Sequence, residues 1–200
     1  MSVVPSNVAG ARLPAPGMGM GRAWASHDGA MPLHALELIP DEIGTAAVRA
    51  GWQRLRDAGL PSQLDHRGAT NAPHLTVVSA PSLPAEAVDV AAAPLGTLLP
   101  IRARASGLLL LGGDRLTVAR ALDLDDDVVR RVLAVRVQVP DRSHDGWLPH
   151  VTLARRLDRA DAQRAIDLLG HDDVTLTFTE LRRWDPDLGA VTRIAGDGFR

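Results

Sequence analysis

The chain has 200 residues, of which 46% are hydrophobic and 23% charged, a composition that fits a soluble globular protein of one domain or two small lobes. A formal net charge of −2 argues against coating of nucleic acid through counterion release, so no long nucleic-acid partner is expected. With no cysteine, disulfides, iron–sulfur clusters, thiolate zinc sites and a cysteine nucleophile are excluded, and a cytoplasmic address is permitted.

Residues 1–32 are rich in Gly, Pro, Ala and Ser and lack the apolar core of a signal peptide, which predicts a flexible tail ahead of a domain over 33–200. No run approaches the ~20 apolar residues that cross a bilayer, so no membrane partner is expected. The near-alternating "LHALELI" (33–39) reads as a half-buried strand ended by Pro40. Asp41 can cap a helix to about Leu60, with Val48, Trp52 and Leu55 on its core face and Gly59 and Pro61 as the stop. A polar loop leads to the strand "HLTVVSA", and Pro81 and Pro84 bracket the start of an Ala-rich helix to about Ala93. Two apolar runs then flank "GGD" (112–114), a hairpin turn that glycine's tolerance of positive φ allows.

The acidic run 123–127 precedes "VVRRVLAVRVQV". Carboxylates suit a helix N-terminus and favour a helix to about Val137, with a strand as the alternative because of the β-branched content. A loop over 140–149 delivers the strand "HVTLARR", "LDRADAQRAIDLLG" reads as a helix closed by Gly170, and two strands joined at "DPDLG" finish the chain. Each half therefore runs strand, helix, paired strands, and each holds one His-x-Thr strand.

Those strands carry the chemistry. In "PHLTV" and "PHVTL", alternation puts His74 and Thr76 on one face, and likewise His150 and Thr152, while Leu75, Val77, Val151 and Leu153 anchor the other. Two such strands side by side offer a phosphate two imidazoles and two hydroxyls. One neutral histidine takes a proton from the nucleophile and one protonated histidine gives a proton to the leaving oxygen, since an unperturbed pKa near ~6.5 lets both forms coexist. The hydroxyls donate to the non-bridging oxygens. A single His-x-Thr is more often an ordinary strand histidine. Two that agree in the preceding proline, both apolar positions and the strand context point to function.

"PHLTV" and "PHVTLAR" resemble the paired His-hydrophobic-Thr-hydrophobic motifs of the 2H (two-histidine) phosphoesterase superfamily. The second is similar to the form in bacterial RNA 2',3'-cyclic phosphodiesterases, historically called 2'-5' RNA ligases. The resemblance implies an α+β, bilobal, pseudo-twofold fold: two antiparallel sheets, helices on the outside, a central groove, and no metal or other cofactor. It implies His74 and His150 as the acid–base pair, leaning toward His150 as base, and Thr76 and Thr152 as phosphate donors. Arg155 matches an arginine that adds a charge-assisted contact, against the plain reading of an exposed strand-end arginine. The expected activity is hydrolysis of a 2',3'-cyclic or related 2'-linked nucleotide ester by a monomer. The alternatives are 2'-5' ligation of RNA ends and a nucleotide-binding domain without turnover.

With 2 Phe and no Tyr, base stacking lacks the aromatic residues many relatives use. Trp147 is either a stacking platform or lid, or a plug between lobes, with the plug favoured. Trp52 reads as helix core. His66 and His144, in the loops before each motif, read as solvated loop histidines. No HExxH helix supplies a third ligand for a zinc ion at the two motif histidines.

Overall fold

The computed structural model describes residues 32–66, 68 and 70–196, so the tail expected over 1–32 lies, apart from Pro32, outside the described residues. The chain is α+β, as expected. Its elements are β1 (His34–Pro40), α1 (Glu42–Asp57), β2 (Leu75–Ala80), α2 (Ala85–Gly96), β3 (Ile101–Gly112), β4 (Arg115–Leu124), α3 (Asp126–Val137), β5 (His150–Asp158), α4 (Ala162–Leu169), β6 (Val174–Asp185) and β7 (Ala190–Gly196).

Every strand pairing is antiparallel, in the order β1-β2-β5-β4-β3-β6-β7, and β1 also pairs with β6. The seven strands thus form one sheet of two halves, which the β1–β6 pairing closes on itself. Residues 174–178 of β6 pair with β3, and residues 178–184 pair with β1, so this one strand belongs to both halves. At the opposite seam β2 and β5, the two motif strands, pair at a single position, Leu75 with Val151. Helices α1 and α4 pack together over the β5 side, while α2 and α3 pack together over the β2 and β7 side.

Local signals fixed most of the elements. The Asp41 carboxylate accepts the Gly44 N–H at 2.7 Å and caps α1. Val48, Trp52 and Leu55 turn one face of α1 into the core. Gly112, at φ 117°, makes the β3–β4 turn, and Gly170, at φ 68°, ends α4. Helix α3 carries Asp126 and Asp127 in its first turn and reaches Val137, which decides for helix over strand.

Four expectations need correction. Helix α1 stops at Asp57 rather than about Leu60, because Gly59 already turns with φ 71°. Helix α2 continues to Gly96 with Pro94 inside it. The segment 157–161 is not α-helical: Leu157 pairs with Leu116 in the core and Asp158 pairs with Arg115, adding an ion pair at 3.1 Å, so β5 runs to Asp158 and a single 3-10 turn, Arg159–Asp161, precedes α4. Strand β1 is buried almost throughout, Glu37 included, because it sits between β2 and β6 instead of facing water on one side.

Candidate active site

The pairing of Leu75 with Val151 fixes the relation of the motifs. In an antiparallel pair the neighbours on either side face each other, so His74 lies across from Thr152 and Thr76 across from His150. His74 and His150 are then diagonal neighbours, roughly 7–8 Å apart at the backbone, close enough for two imidazoles to reach one phosphate. Leu75 and Val151 are buried on the opposite face. The four motif side chains are brought together as the alternation predicts.

The two rings are held alike. His74 Nδ1 lies 2.8 Å from the Ala72 carbonyl, and His150 Nδ1 lies 2.7 Å from the Leu148 carbonyl, each two residues back across a proline. Proline locks its own φ and keeps the residue before it extended, which explains why both motifs begin with one. A proton on Nδ1, donated to the carbonyl, leaves Nε2 of the neutral ring as the lone-pair nitrogen directed away from its own loop.

Their surroundings differ. Burial pushes the His150 pKa below the usual histidine range, His74, Arg155 and His144 add like charge in the same direction, and the bond to Leu148 opposes them. His74 faces a carboxylate instead: Glu37 Oε1 stands 3.6 Å from His74 Nε2. Glu37 is 6% exposed and is bound through Oε2 to Arg182 Nε at 2.9 Å and Nη2 at 2.8 Å.

Arg155 reaches the groove by a route that regular alternation does not provide. Strict alternation would place it with Val151 and Leu153, facing the core. The register between β4 and β5 slips twice, from Ala119/Thr152 to Val118/Ala154 and from there to Leu116/Leu157. Ala154 and Leu157 are buried, and Arg155 falls on the side of His150 and Thr152. Arg156 takes φ 60° inside this bulge, a costly conformation for a residue with a side chain. The Arg155 side chain is open to solvent, yet protein packed around it lowers its pKa, and Glu37 pulls the other way. Its guanidinium stays charged and accessible to an anion.

Both motif threonines have carbonyls tied to tryptophan. Trp52 Nε1 donates to the Thr152 carbonyl at 3.0 Å from α1, and Trp147 Nε1 donates to the Thr76 carbonyl at 2.9 Å from the 140–149 loop. Trp52 is core, as expected, and Trp147 is half-buried, packed against the edge of the core. Thr152 is 9% exposed and Thr76 half-buried, so the second motif is the deeper of the two. His144 is exposed in its loop but near enough for its charge to act on His150.

Sequence reasoning missed Glu37 and Arg182. The available signal was a lone acidic residue inside the apolar run "LHALELI". Among the described residues, one group of side chains brings ligand atoms within reach of a single metal ion: His34, Asp185 and Asp187, which includes none of the motif residues.

Two His-x-Thr strands that meet at one seam of the antiparallel sheet present the motif pair of the two-histidine phosphoesterases. The family model for the 2'-5' RNA ligase superfamily matches residues 39–190, and the chain belongs to that superfamily. Among solved structures it is similar to LigT of E. coli in its apo form, at 16% identity over 80% of this chain and 92% of that one, with a TM-score of 0.47. It is also similar to Usb1 of Kluyveromyces marxianus, at 13% identity over 82% of this chain and 96% of that one, with a TM-score of 0.44. A structure described as a phosphoesterase matches at 14% identity, covering 80% of this chain and 93% of that one, with a TM-score of 0.45. No curated protein matches the chain. No helix among the described residues is long and apolar enough to cross a membrane.

Proposed function

We propose that this protein is a phosphodiesterase that opens a 2',3'-cyclic phosphate, or a related 2'-linked nucleotide ester, to a 2'-phosphate. The observation that carries the reading is the single β2–β5 pairing, which sets two identically tethered imidazoles diagonally across one groove. His150, whose protonated form is disfavoured, takes a proton from water as the water oxygen attacks phosphorus. His74 gives a proton to the departing 3'-oxygen as the P–O3' bond breaks. The hydroxyls of Thr76 and Thr152 and the guanidinium of Arg155 bind the non-bridging oxygens, where charge accumulates. The proton taken by His150 and the proton given by His74 balance within the step.

With an RNA 5'-hydroxyl in place of water the same groove would ligate: the 5'-oxygen attacks phosphorus as His150 takes its proton, P–O3' breaks as His74 protonates the 3'-oxygen, and a 2'-5' bond results; the superfamily's own description favours keeping this as the second reading. Residues 33–200 act as one bilobal domain, a reading supported by the sharing of β6 between both halves. We take the protein to work as a cytoplasmic monomer on small nucleotides or RNA ends.

The test is incubation with 2',3'-cyclic nucleotides, 2'-5' linked dinucleotides and an RNA bearing a cyclic-phosphate end, all in EDTA. Turnover should survive chelation and fall by about 10²–10⁴-fold in each of His74→Ala and His150→Ala. Full activity in either variant removes the two-histidine mechanism. Tight binding of a cyclic nucleotide without turnover would make the protein a binding domain instead.

A further inference from the structure

Glu37 is an acidic side chain on a buried central strand, and the fold supplies it with an unusual set of neighbours. Its partner across β1–β2 is Thr76 and across β1–β6 is Arg182, so the three residues lie abreast, the first beside the proposed phosphate donor. Arg182 is 8% exposed and also donates to the Thr70 carbonyl at 3.1 Å, in the loop that leads to the first motif. Both nitrogens it directs at Glu37 fall on Oε2. Oε1 is left toward His74 Nε2 at 3.6 Å.

Stability does not account for this pair. A buried ion pair costs several kcal/mol of desolvation per ion, and apolar replacement of both members is often neutral or stabilising. The pair does fix one carboxylate oxygen rigidly against the ring nitrogen that the groove uses. His74 Nδ1 is already engaged with Ala72, so a ring that also carries a proton on Nε2 has two donors, and Glu37 Oε1 is the protein acceptor in line for the second. Among the described residues no carboxylate is the counterpart for His150, whose charge-bearing neighbours are Arg155 and the imidazoles of His74 and His144.

We propose that Glu37 is a positioning residue, held by Arg182, whose Oε1 is the acceptor that keeps a proton on Nε2 of His74 until the departing 3'-oxygen takes it, and so makes the first motif the proton donor. The inference rests on the phosphodiesterase reading and deepens it by giving the two histidines unlike parts. Glu37 does not touch the substrate; it acts through His74. In the reaction the Nε2 proton passes to the 3'-oxygen as P–O3' breaks, and the water proton passes to His150 Nε2.

A proton donor matters for a poor leaving group and little for a good one, which separates this role from general support of the fold. Three variants are compared with the wild type: E37Q, E37D, and E37Q/R182M, which removes both buried charges and folds even where the lone Arg182 cation would not be tolerated. Two esters are used, a nucleoside 2',3'-cyclic phosphate, whose alkoxide needs a proton, and the 4-nitrophenyl ester of a nucleoside 2'-phosphate, whose phenolate does not. The 15N signals of both motif histidines are recorded in the free protein.

E37Q and the double variant should lose on the order of 10- to 100-fold in kcat on the cyclic ester, with KM little changed, and stay within about two-fold on the aryl ester. E37D should recover part of the loss. The His74 Nε2 signal should move in E37Q while that of His150 stays. Equal losses on both esters, or no loss on the cyclic one, would overturn the proposal. A wild type that cleaves neither ester removes the phosphodiesterase reading, and the nitrogen signals then decide about Glu37 alone: an unmoved His74 Nε2 in E37Q overturns its role.

Discussion

Arg136 offers the sharpest test of how the second motif is held in place. It projects from the last turn of α3, is 6% exposed, and spends its donors on three backbone carbonyls: Val77 at 3.0 Å, Gly146 at 2.7 Å, and His144. One side chain therefore ties α3 to the motif strand β2 and to the 140–149 loop that carries Trp147 and the Leu148 carbonyl under His150. Burial and the nearby Arg142 lower its pKa, so its charge is held at a cost. In Arg136→Met the apolar stem remains and all three bonds go. The Val77 carbonyl is buried, and leaving it unpaired costs about 1–3 kcal/mol. The His144 and Gly146 carbonyls are only part-buried and regain water, so each adds no more than about 1 kcal/mol. Relief of the guanidinium's desolvation offsets some of this, and a net loss of about 3 kcal/mol follows. For a chain of this size that is a fall in Tm of about 6–12 °C, read by circular dichroism, with the urea midpoint moving in step and the m-value unchanged. Arg136→Lys should recover little, because an ammonium cannot reach carbonyls on both sides as the planar fork does. A Tm within about 2 °C of the wild type in Arg136→Met would refute the argument, since the loop and strand would then not depend on the guanidinium.

Two further outcomes follow from the same kind of reasoning. If His150 works as the neutral base, the acid limb of kcat/KM must lie below the usual histidine range near ~6.5, because burial first, and then the neighbouring Arg155 and imidazoles, disfavour its charged form. Arg155→Met should move that limb upward, by less than burial holds it down, because desolvation is the larger cause; a downward move in the pH–rate profile would reverse the sign of the argument. In α1, Gly51 is buried, and a Cβ there would meet Leu153 at 3.5 Å and Leu169 at 3.6 Å, ordinary contact distances. Gly51→Ala should therefore stabilise the protein by about 0.5–1 kcal/mol through helix propensity, raising Tm by about 1–4 °C. A lower Tm would mean that the neighbouring leucines cannot give even that much room.

The parts of this molecule that the sequence made legible are those written locally. Alternation marked the motif strands, Asp41 and Gly170 marked helix ends, and two glycines marked the β3–β4 hairpin. Each of these depends on residues within a few positions of one another. Glu37 and Arg182 stand 145 residues apart and become partners only through the β1–β6 register, which no local pattern encodes. The bulge at Arg155 is hidden for a related reason. "HVTLARRL" reads as a strand throughout, but only its pairing with β4 reveals that two register slips move Arg155 from the core face to the groove.

The same distinction explains why the two motifs look equivalent in sequence and are not equivalent in the fold. "PHLTV" and "PHVTL" specify the same tether for each ring, from Nδ1 to the carbonyl two residues back, and that symmetry appears in the structure. What differs is contributed from elsewhere: β1 brings a carboxylate to His74, while the β5 bulge and the 140–149 loop bring cations to His150. Acid–base catalysis needs one ring that gives a proton and one that takes it, so two copies of a symmetric motif are not enough. The asymmetry has to come from the surrounding strands, and Glu37 and Arg155 are the residues through which it enters.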